Sequence, residues 1–454
     1  MNRRDFLGAA ALVPLSLSTA PPDWAGLRRG LKGTLVRPGD AAYDRSKRLF
    51  NPAFDGIRPS GIAYCETSED VAKCLTVARR TGVAVTARSG GHSYAGWSTG
   101  SGLVVDLSRM NAVTHRAGLA TIGPGARLMD VYTKLARHGV SIPAGSCPTV
   151  GVGGLALGGG IGAVSRKYGL TCDRLVSARV VTADGRILDC DANRHPALFW
   201  ACRGGGGGNF GVVTSFTFRT HTAREIGHFY LRWPWSKAAA AVAAWQDWAP
   251  GAPDELWSSL HLVRDRGGLH IQLAGTFLGG LTGLNRHLAA LVTRVGQPQA
   301  RTARVVPYLT AMRIMAGGPG LRTTFSAKSH LAYGRLPAAG IAKLVAWVAR
   351  PGQHAVLLDA FGGAIGRVGV RDTAFPHRAA LYSVQYYADG TSRTWLRGVH
   401  GEMRAFLGDH AYVNYIDPDL RAWRSAYYGP NAARLAEVKA AYDPGRVFRL
   451  PQGV

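Results

Sequence analysis

Glycine is gathered into dense groups along this chain. Many of its 59 glycines, among 454 residues, lie at 90–102, 151–162 and 204–211. Glycine has no Cβ, so it reaches positive φ and lets the backbone approach a ligand closely. Successive backbone amides exposed in such segments can cradle an anionic group such as a pyrophosphate. The grouping therefore predicts a fold in which several separate loops close around one ligand.

The length and composition of the chain predict two lobes. A chain of 454 residues that is 46% hydrophobic exceeds the size of an average single domain. Strand and helix patterns alternate up to about residue 222; beyond it tryptophans accumulate and the pattern indicates a strand-rich sheet backed by helices. We therefore expect an α+β protein with one lobe at 24–222, a second at 223–405 and a C-terminal segment at 406–454.

Local patterns place individual elements within these lobes. Ser68 to Asp70 is predicted to cap a helix that runs through Arg80, and the next strand is predicted at 83–86. In the second lobe, helices are predicted at 237–248 and 338–348, and strands at 269–277 and 356–361.

The chain is strongly basic, with a formal net charge of +26. Arginine is distributed along the whole length, without a dense basic run or a recognised nucleic-acid-binding module. A nucleic-acid binder is therefore disfavoured. The charge is expected to aid solubility or contact with an anionic cell wall, and an anionic substrate or partner is the alternative.

The first residues have the pattern of an export signal. Asn2-Arg3-Arg4-Asp5-Phe6-Leu7-Gly8 precedes an apolar run at 9–17 and the small residues 18–20. The paired arginines resemble a twin-arginine signal, whose route carries folded proteins with cofactor installed. Pro21-Pro22 leaves open whether the signal, taken as 1–23, is cleaved or kept as an anchor. No other stretch is apolar over the ~18 residues that a transmembrane helix needs, so we expect a secreted protein without stable membrane insertion.

Six cysteines lie at 65, 74, 147, 172, 190 and 202. Export would permit disulfides, but the spacing does not define a connectivity, and there is no CxxC or zinc-type pairing. In a chain with an ample core, most of these cysteines are expected to be buried thiols, with Cys147 as the exception. No metal site is expected.

Two of the glycine groups carry reactive side chains. The first is Arg88-Ser89-Gly90-Gly91-His92-Ser93-Tyr94, directly after a predicted strand, where small residues would let the backbone press against a phosphate or ring while presenting an imidazole. The second begins at Gly145-Ser146-Cys147-Pro148-Thr149 and runs on to Gly162. A Rossmann fold is disfavoured, because Gly151-x-Gly153 is not followed by the strand, helix and acidic residue of the dinucleotide fingerprint.

Together these segments resemble the FAD-binding domain of the vanillyl alcohol oxidase and p-cresol methylhydroxylase (PCMH) superfamily, in particular its berberine bridge enzyme-like group. The resemblance covers most of the chain, including Ser165 to Asp173, Val181 to Gly185, Arg203 to Thr214, Tyr427-Tyr428-Gly429 and Tyr442-Asp443-Pro444. It implies a PCMH-type FAD-binding lobe, completed by the C-terminal segment, and a substrate lobe that covers the flavin.

The resemblance also implies that FAD is held by two covalent bonds. In that group the His of the Gly-Gly-His-Ser segment bonds the flavin 8α-methyl carbon, and the Cys of the Cys-Pro-Thr segment bonds flavin C6. His92 and Cys147 fill these positions, and an imidazole and a thiolate are natural nucleophiles toward an electrophilic isoalloxazine. The other expected cofactor-binding residues are Arg88, Ser89, Gly90, Gly91, Ser93, Pro148, Thr149, Gly151, Gly153, Gly154, Gly158, Gly159, Gly162, Asn209, Gly211, Val213 and Asn414.

A further set of residues is implied for catalysis. Asn414-Tyr415 matches the family segment whose Tyr is the catalytic base, and a phenol with a pKa near 10 needs help to accept a proton. Asp359 matches the position at which sugar-oxidising members place an Asp beside that Tyr. Alternation along the next strand would aim Ser383 and Gln385 at the substrate. Alkaloid-cyclising members carry a Glu near Ser383, and its absence argues against ring closure.

The resulting prediction is a secreted oxidase. Tyr415, aided by Asp359, would take the hydroxyl proton of a carbohydrate while the hydride passes to FAD, giving a lactone, and O2 would become H2O2. Two alternatives remain open: an oxidase or dehydrogenase of a glycosylated or polyketide metabolite, as in aclacinomycin-oxidising relatives, and a flavin-bearing binding protein without turnover.

Overall fold

The computed structural model describes residues 21–454, so all but the last three residues of the predicted export signal lie outside the described residues. The α-helices are α1 Trp24–Gly30, α2 Tyr43–Ser46, α3 Ser68–Thr81, α4 Leu128–Ala136, α5 Val152–Leu157, α6 Ser165–Tyr168, α7 Pro196–Ala201, α8 Ala238–Gly251, α9 Leu281–Val295, α10 Tyr308–Met315, α11 Ala338–Val348, α12 Thr394–Leu407, α13 Trp423–Tyr428 and α14 Ala432–Tyr442. The strands are β1 Thr34–Val36, β2 Gly61–Tyr64, β3 Val85–Arg88, β4 Leu103–Asp106, β5 Val113–Arg116, β6 Leu119–Ile122, β7 Val140–Ser141, β8 Leu175–Val181, β9 Ile187–Asp191, β10 Val212–Arg219, β11 His221–Thr222, β12 Glu225–Pro234, β13 Leu256–Asp265, β14 Gly268–Phe277, β15 Ala300–Pro307, β16 Phe325–Ala332, β17 His354–Ala360 and β18 Tyr382–Asp389.

The first lobe contains two larger sheets. One has the order β1-β2-β4-β3, with β2, β4 and β3 parallel, and the other is antiparallel in the order β5-β6-β10-β8-β9. Helix α3 packs against the first sheet through Val71, Cys74 and Leu75. Its N-cap is Thr67, whose side chain accepts a hydrogen bond from the backbone of Asp70, so the sequence placed the cap one residue late.

The third strand lies two residues later than predicted, at Val85–Arg88. The periodicity of its short apolar run does not determine which residues pair. The parallel ladder to β4 does, by placing Val85 beside Leu103 and Arg88 beside Asp106. This shift matters for the site, because Arg88 becomes the last strand residue instead of the first loop residue.

The second lobe is built on one antiparallel sheet of seven strands in the order β15-β12-β14-β13-β17-β18-β16. Side chains alternate between its two faces. Residues such as Leu260, Leu358 and Val384 point to one face, where α8, α9, α11 and α12 cover them. The opposite face carries Asp359 and Gln385 and turns toward the first lobe.

The C-terminal segment returns to the first lobe. Lys439 on α14 is buried and donates hydrogen bonds to the carbonyl of Asn209 at 2.7 Å, the carbonyl of Phe448 at 2.8 Å and the carboxylate of Asp443 at 2.6 Å. The glycine-rich segment around Asn209 is thereby tied to the end of the chain. The boundary placed at 222/223 falls between β11 and β12, whereas the one placed at 405/406 falls inside α12.

Two properties of the described residues bear on what the molecule can do. None of the helices between residues 21 and 454 is long and apolar enough to cross a bilayer. Within the same residues, no group of three or more His, Cys, Asp or Glu side chains is placed to hold a metal ion.

Candidate active site

A cavity of about 720 Å³ lies between the first lobe, the C-terminal segment and the open face of the seven-stranded sheet. All three glycine groups contribute to its wall, as the sequence suggests. The predicted cofactor-binding residues that line it are Ser89, Gly90, Gly91, His92, Ser93, Cys147, Gly151, Gly153, Gly154, Gly162, Asn209, Gly211, Val213 and Asn414. Its size lies in the range of sites that enclose a small molecule or cofactor.

His92 is held in place by its neighbours at the cavity wall. Its ring stacks on Phe50, with centroids 4.0 Å apart and planes 20° from parallel, and its Nε2 is hydrogen-bonded to the Thr149 hydroxyl at 3.0 Å. Burial, followed by the nearby positive charge of Arg127, lowers the pKa of His92 to about 4. The imidazole is therefore neutral at pH 7 and keeps a nitrogen lone pair, which a nucleophile requires.

Cys147 differs from the other cysteines in its exposure. It is half-buried and lines the cavity, whereas Cys65, Cys74, Cys172, Cys190 and Cys202 are buried free thiols. The expectation that most cysteines are core thiols and that Cys147 is the exception is therefore confirmed.

Two glycine-containing loops are in close contact at the wall of the cavity. A Cβ on Gly90 would lie 2.3 Å from the backbone nitrogen of Gly151, and one on Gly151 would lie 2.4 Å from that of Gly90. No side chain fits in that contact. It brings the His92 segment and the Cys147 segment together at one wall of the cavity.

Several predicted residues support the wall from behind and do not line the cavity. Arg88 is buried, pairs with Asp106 and donates to the carbonyl of Ser46 at 2.8 Å, so it secures β3 instead of reaching a ligand. Thr149 holds His92, and its buried neighbour Pro148 contributes to the lining of a separate groove. Gly158 and Gly159 make room for Asn414 and Tyr412, since a Cβ on Gly158 would lie 2.0 Å from Asn414 Oδ1.

Tyr415 lies in a short 3₁₀ turn, Val413–Tyr415, and lines the cavity. Tyr94 stacks on it with centroids 5.2 Å apart and planes 12° from parallel, and Tyr412 meets it edge-on at 4.9 Å. Burial raises the pKa of Tyr415 well above 10, and the neighbouring Asp359 carboxylate adds to the rise. The phenol is therefore protonated at neutral pH.

Asp359 is the penultimate residue of β17 and lines the same cavity. It is buried, and burial raises its pKa, while the nearby hydroxyls of Ser259 and Ser383 act in the opposite direction. Among residues 21–454, no hydrogen bond joins Asp359 directly to Tyr415. The two groups share the cavity, and a charge on Asp359 disfavours ionisation of Tyr415.

The two residues predicted to contact substrate differ in position. Gln385 lines the cavity, and its amide donates to the hydroxyl of Tyr94 at 2.8 Å. Ser383 is fully buried outside the lining and donates to Asp359 at 3.4 Å. Both face the same side of β18, as alternation predicts, but Ser383 acts on Asp359 and is out of reach of a substrate.

The sequence reasoning missed the wall that β12, β13 and β14 contribute. The side chains involved are His228, Tyr230, Trp257, Ser259, His261, Gln272 and Ala274. All follow the period-2 alternation of those strands. That alternation could have identified them, had the side of the sheet facing the glycine loops been known.

Family models match both ends of the chain. A model described as "FAD binding domain" matches residues 59–191, and one described as "Berberine and berberine like" matches residues 411–454. The uncharacterized FAD-linked oxidoreductase YgaK of Bacillus subtilis is 34% identical over 93% of this chain and 97% of its own length. The chain belongs to the berberine bridge enzyme-like family of FAD-linked oxidoreductases. This confirms the predicted family, the α+β fold class and FAD as the cofactor.

Two further members relate the chain to known enzymes and structures of the berberine bridge enzyme-like family. The chitooligosaccharide oxidase of Gibberella zeae is 31% identical, with 92% of each chain covered. The structure of BBE-like 1 from Physcomitrella patens matches with a TM-score of 0.88 at 30% identity, over 94% of this chain and 97% of that one.

The residues present fit FAD. The contact between Gly90 and Gly151 leaves backbone, without side chains, against the cavity, which suits a phosphate-bearing ligand. Two buried side-chain nitrogens in the wall, His228 Nδ1 and Trp257 Nε1, have no hydrogen-bond partner within the described part of the chain. Such groups are costly unless a ligand or water satisfies them.

Proposed function

We propose that this protein is a secreted oxidase that carries FAD on covalent bonds to His92 and Cys147 and oxidises a CH–OH group of a carbohydrate, giving a lactone when the anomeric carbon reacts. The convergence of His92, Cys147, Tyr415 and Asp359 on one cavity carries this proposal. When bound, FAD supplies a hydride acceptor that O2 can reoxidise with release of H2O2. The 31% identity to a chitooligosaccharide oxidase supports a sugar as substrate.

The wall of the cavity suits a ligand rich in hydroxyl groups. The open face of the sheet presents hydroxyl, amide and imidazole groups, including Ser259, His261 and Gln272. Such side chains both donate and accept hydrogen bonds, as a sugar does. Tyr94 and Tyr415 add aromatic surface against which the apolar face of a sugar ring can pack.

Tyr415 and Asp359 act together to remove the hydroxyl proton of the substrate. The phenol of Tyr415 is protonated at rest, so it can accept the hydroxyl proton of a substrate only as its own proton leaves. Asp359 is the acceptor in reach of the same cavity, and its raised pKa makes it a stronger base than an ordinary carboxylate. Hydrogen bonds in a catalytic site often tighten only when the substrate is bound, which would bring the two side chains into contact.

The test is release of H2O2 from a panel of monosaccharides, oligosaccharides and glycosylated polyketides. We expect at least one carbohydrate to bleach the flavin under anaerobic conditions and to yield H2O2 in air. Turnover of a glycosylated polyketide without any response to sugars would replace the carbohydrate by that substrate class. Failure of every compound to bleach the flavin would favour a binding protein without turnover.

A further inference from the structure

A line of polar side chains extends from Asp359 along the open face of the sheet. Ser259 lies directly opposite Asp359 in the β13–β17 ladder, and its hydroxyl acts to lower the pKa of the Asp359 carboxyl. Ser259 Oγ is also 2.8 Å from Nε2 of His261, two residues further along the same face of β13. The three side chains are neighbours on one face of the sheet, and all of them border the cavity.

The direction of the hydrogen bond between Ser259 and His261 follows from counting protons. A serine hydroxyl has one hydrogen to donate and lone pairs with which to accept. If that hydrogen points to the Asp359 carboxylate, Ser259 Oγ can only accept from His261. Nε2 of His261 must then carry the proton.

We propose that His261 is a positioning residue for Asp359: its Nε2–H donates to Ser259 Oγ and thereby keeps the Ser259 hydroxyl aimed at the Asp359 carboxylate. Its role in the reaction rests on the proposed function, because Asp359 matters there as the acceptor for the proton of Tyr415. A Ser259 hydroxyl held in this direction stabilises the ionised form of Asp359, and this carboxylate must be unprotonated before each turnover.

Few other titratable groups face Asp359, Ser259 and His261. The titratable groups facing Asp359 are Tyr415 from the 3₁₀ turn and Tyr94 from the loop after β3, and both have pKa values raised above 10 by burial. His261 lies between Leu357 of β17 and Gln272 of β14, and the Gln272 amide donates to His270 at 2.7 Å. Burial lowers the pKa of His261 to about 4, so the ring stays neutral over the working range.

The first experiment follows the protonation of Asp359 directly. Infrared difference spectra of the holoprotein, recorded against an Asp359→Asn variant across a pH series, give the midpoint at which the carboxylic acid band disappears. We expect Ser259→Ala and His261→Leu to raise this midpoint on the order of one pH unit, since each removes support for the ionised form. His261→Gln keeps a donor in that position and is expected to restore the wild-type midpoint.

The second experiment measures flavin reduction by a substrate across the same pH range. Loss of the His261 donor should move the acidic limb of the rate profile to higher pH and lower the limiting rate. His261→Gln should return the acidic limb to its wild-type position. A purely structural defect would lower the rate without moving the profile.

The outcomes separate the two proposals. An unshifted infrared midpoint in either Ser259→Ala or His261→Leu overturns the positioning role, as does a His261→Gln midpoint that matches His261→Leu. If the midpoints shift as expected but no carbohydrate reduces the flavin, the positioning role of His261 stands and the proposed oxidase activity fails.

Discussion

At the scale of single residues, the site depends on a phenol and a carboxyl group that share one cavity. Burial raises the pKa of both Tyr415 and Asp359, and the Asp359 carboxylate further opposes ionisation of Tyr415. A proton moving from Tyr415 to Asp359 as substrate reacts avoids a net increase in buried charge. The environment that makes Tyr415 a poor free base thus makes it suited to act together with Asp359.

Removing the hydroxyl of Tyr415 tests its role as base. Tyr415→Phe keeps the ring that stacks on Tyr94, so the cavity should retain its shape. We expect anaerobic reduction of the flavin by the best substrate to slow by about 10²- to 10⁴-fold, the usual contribution of a general base. Stopped-flow absorbance measures this rate. A Tyr415→Phe enzyme that reduces its flavin at the wild-type rate would show that another group takes the proton.

The sequence identified the residues at the loops better than those on the sheet. His92, Cys147 and Tyr415 lie within short, recognisable sequence segments, and all three line the cavity. Ser259 and His261 lie within an ordinary alternating strand, where nothing local distinguishes a cavity wall from a solvent-exposed face. Their position depends on which side of the sheet the first lobe covers, and that is a property of the tertiary fold.

At the scale of secondary-structure elements, the contact between the two glycine loops is the most constrained feature of the cofactor lobe. Gly151 is the N-cap residue before helix α5 and has an ordinary φ of −80°, so its need for glycine comes from crowding alone. A Cβ there would lie 2.0 Å from Ser89 Oγ and 2.4 Å from the backbone nitrogen of Gly90. Gly154, one turn further along α5, has no neighbouring protein atom within 4 Å of its Cβ position.

These two glycines form a matched pair for mutation. Gly151→Ala should lower the free energy of unfolding by about 1 to 3 kcal/mol, the usual cost of overpacking, and reduce flavin incorporation by separating the loops. Gly154→Ala adds a methyl group to the same helix without a clash and should leave the unfolding free energy within about 0.5 kcal/mol of wild type. Urea unfolding and the flavin content of the purified proteins measure both effects. Equal stability of the two variants would contradict the close contact.

At the scale of the whole molecule, buried histidines make the fold sensitive to acid. His330 and His400 stack 4.0 Å apart on the helix-covered side of the sheet, and His377 is hydrogen-bonded to the carbonyl of Tyr427 at 3.0 Å. Burial lowers the pKa of His400 to about 4 and that of His377 to about 3, with positive charge from Lys328 adding to the effect at His400. Below pH 6.5 the unfolded chain therefore binds protons that the folded chain cannot.

The free energy of unfolding should accordingly fall as the pH drops from 6.5 toward 4. Each such histidine contributes up to about 1.4 kcal/mol per pH unit in that window, and the loss ends near its folded pKa. Urea unfolding between pH 7 and pH 5 measures the slope, which His400→Gln should reduce. The exposed His195 provides the control, because His195→Asn should leave the slope unchanged. A flat stability profile between pH 7 and pH 5 would contradict the buried, neutral state of these histidines.

The α+β fold class was predictable from the whole sequence, whereas the position of the boundary at 405/406 was not. Helix α11 lies at 338–348 as predicted, because its apolar period is long and uninterrupted. The boundary expected at 405/406 falls within α12, since that helix packs on the sheet while the segment after it returns to the first lobe. The point at which the chain passes from one lobe to the other is decided by contacts between residues that are far apart in the sequence.

The central claim is that His92 and Cys147 both bond the flavin, and denaturation in acid tests it most directly. The wild-type protein is precipitated with acid and washed, and its colour is compared with that of His92→Ala, Cys147→Ala and the double variant, each purified with FAD bound. We predict that the yellow colour stays with the polypeptide in the wild type and in both single variants, and passes into the supernatant only from the double variant. Release of the flavin from the wild-type protein would contradict the account.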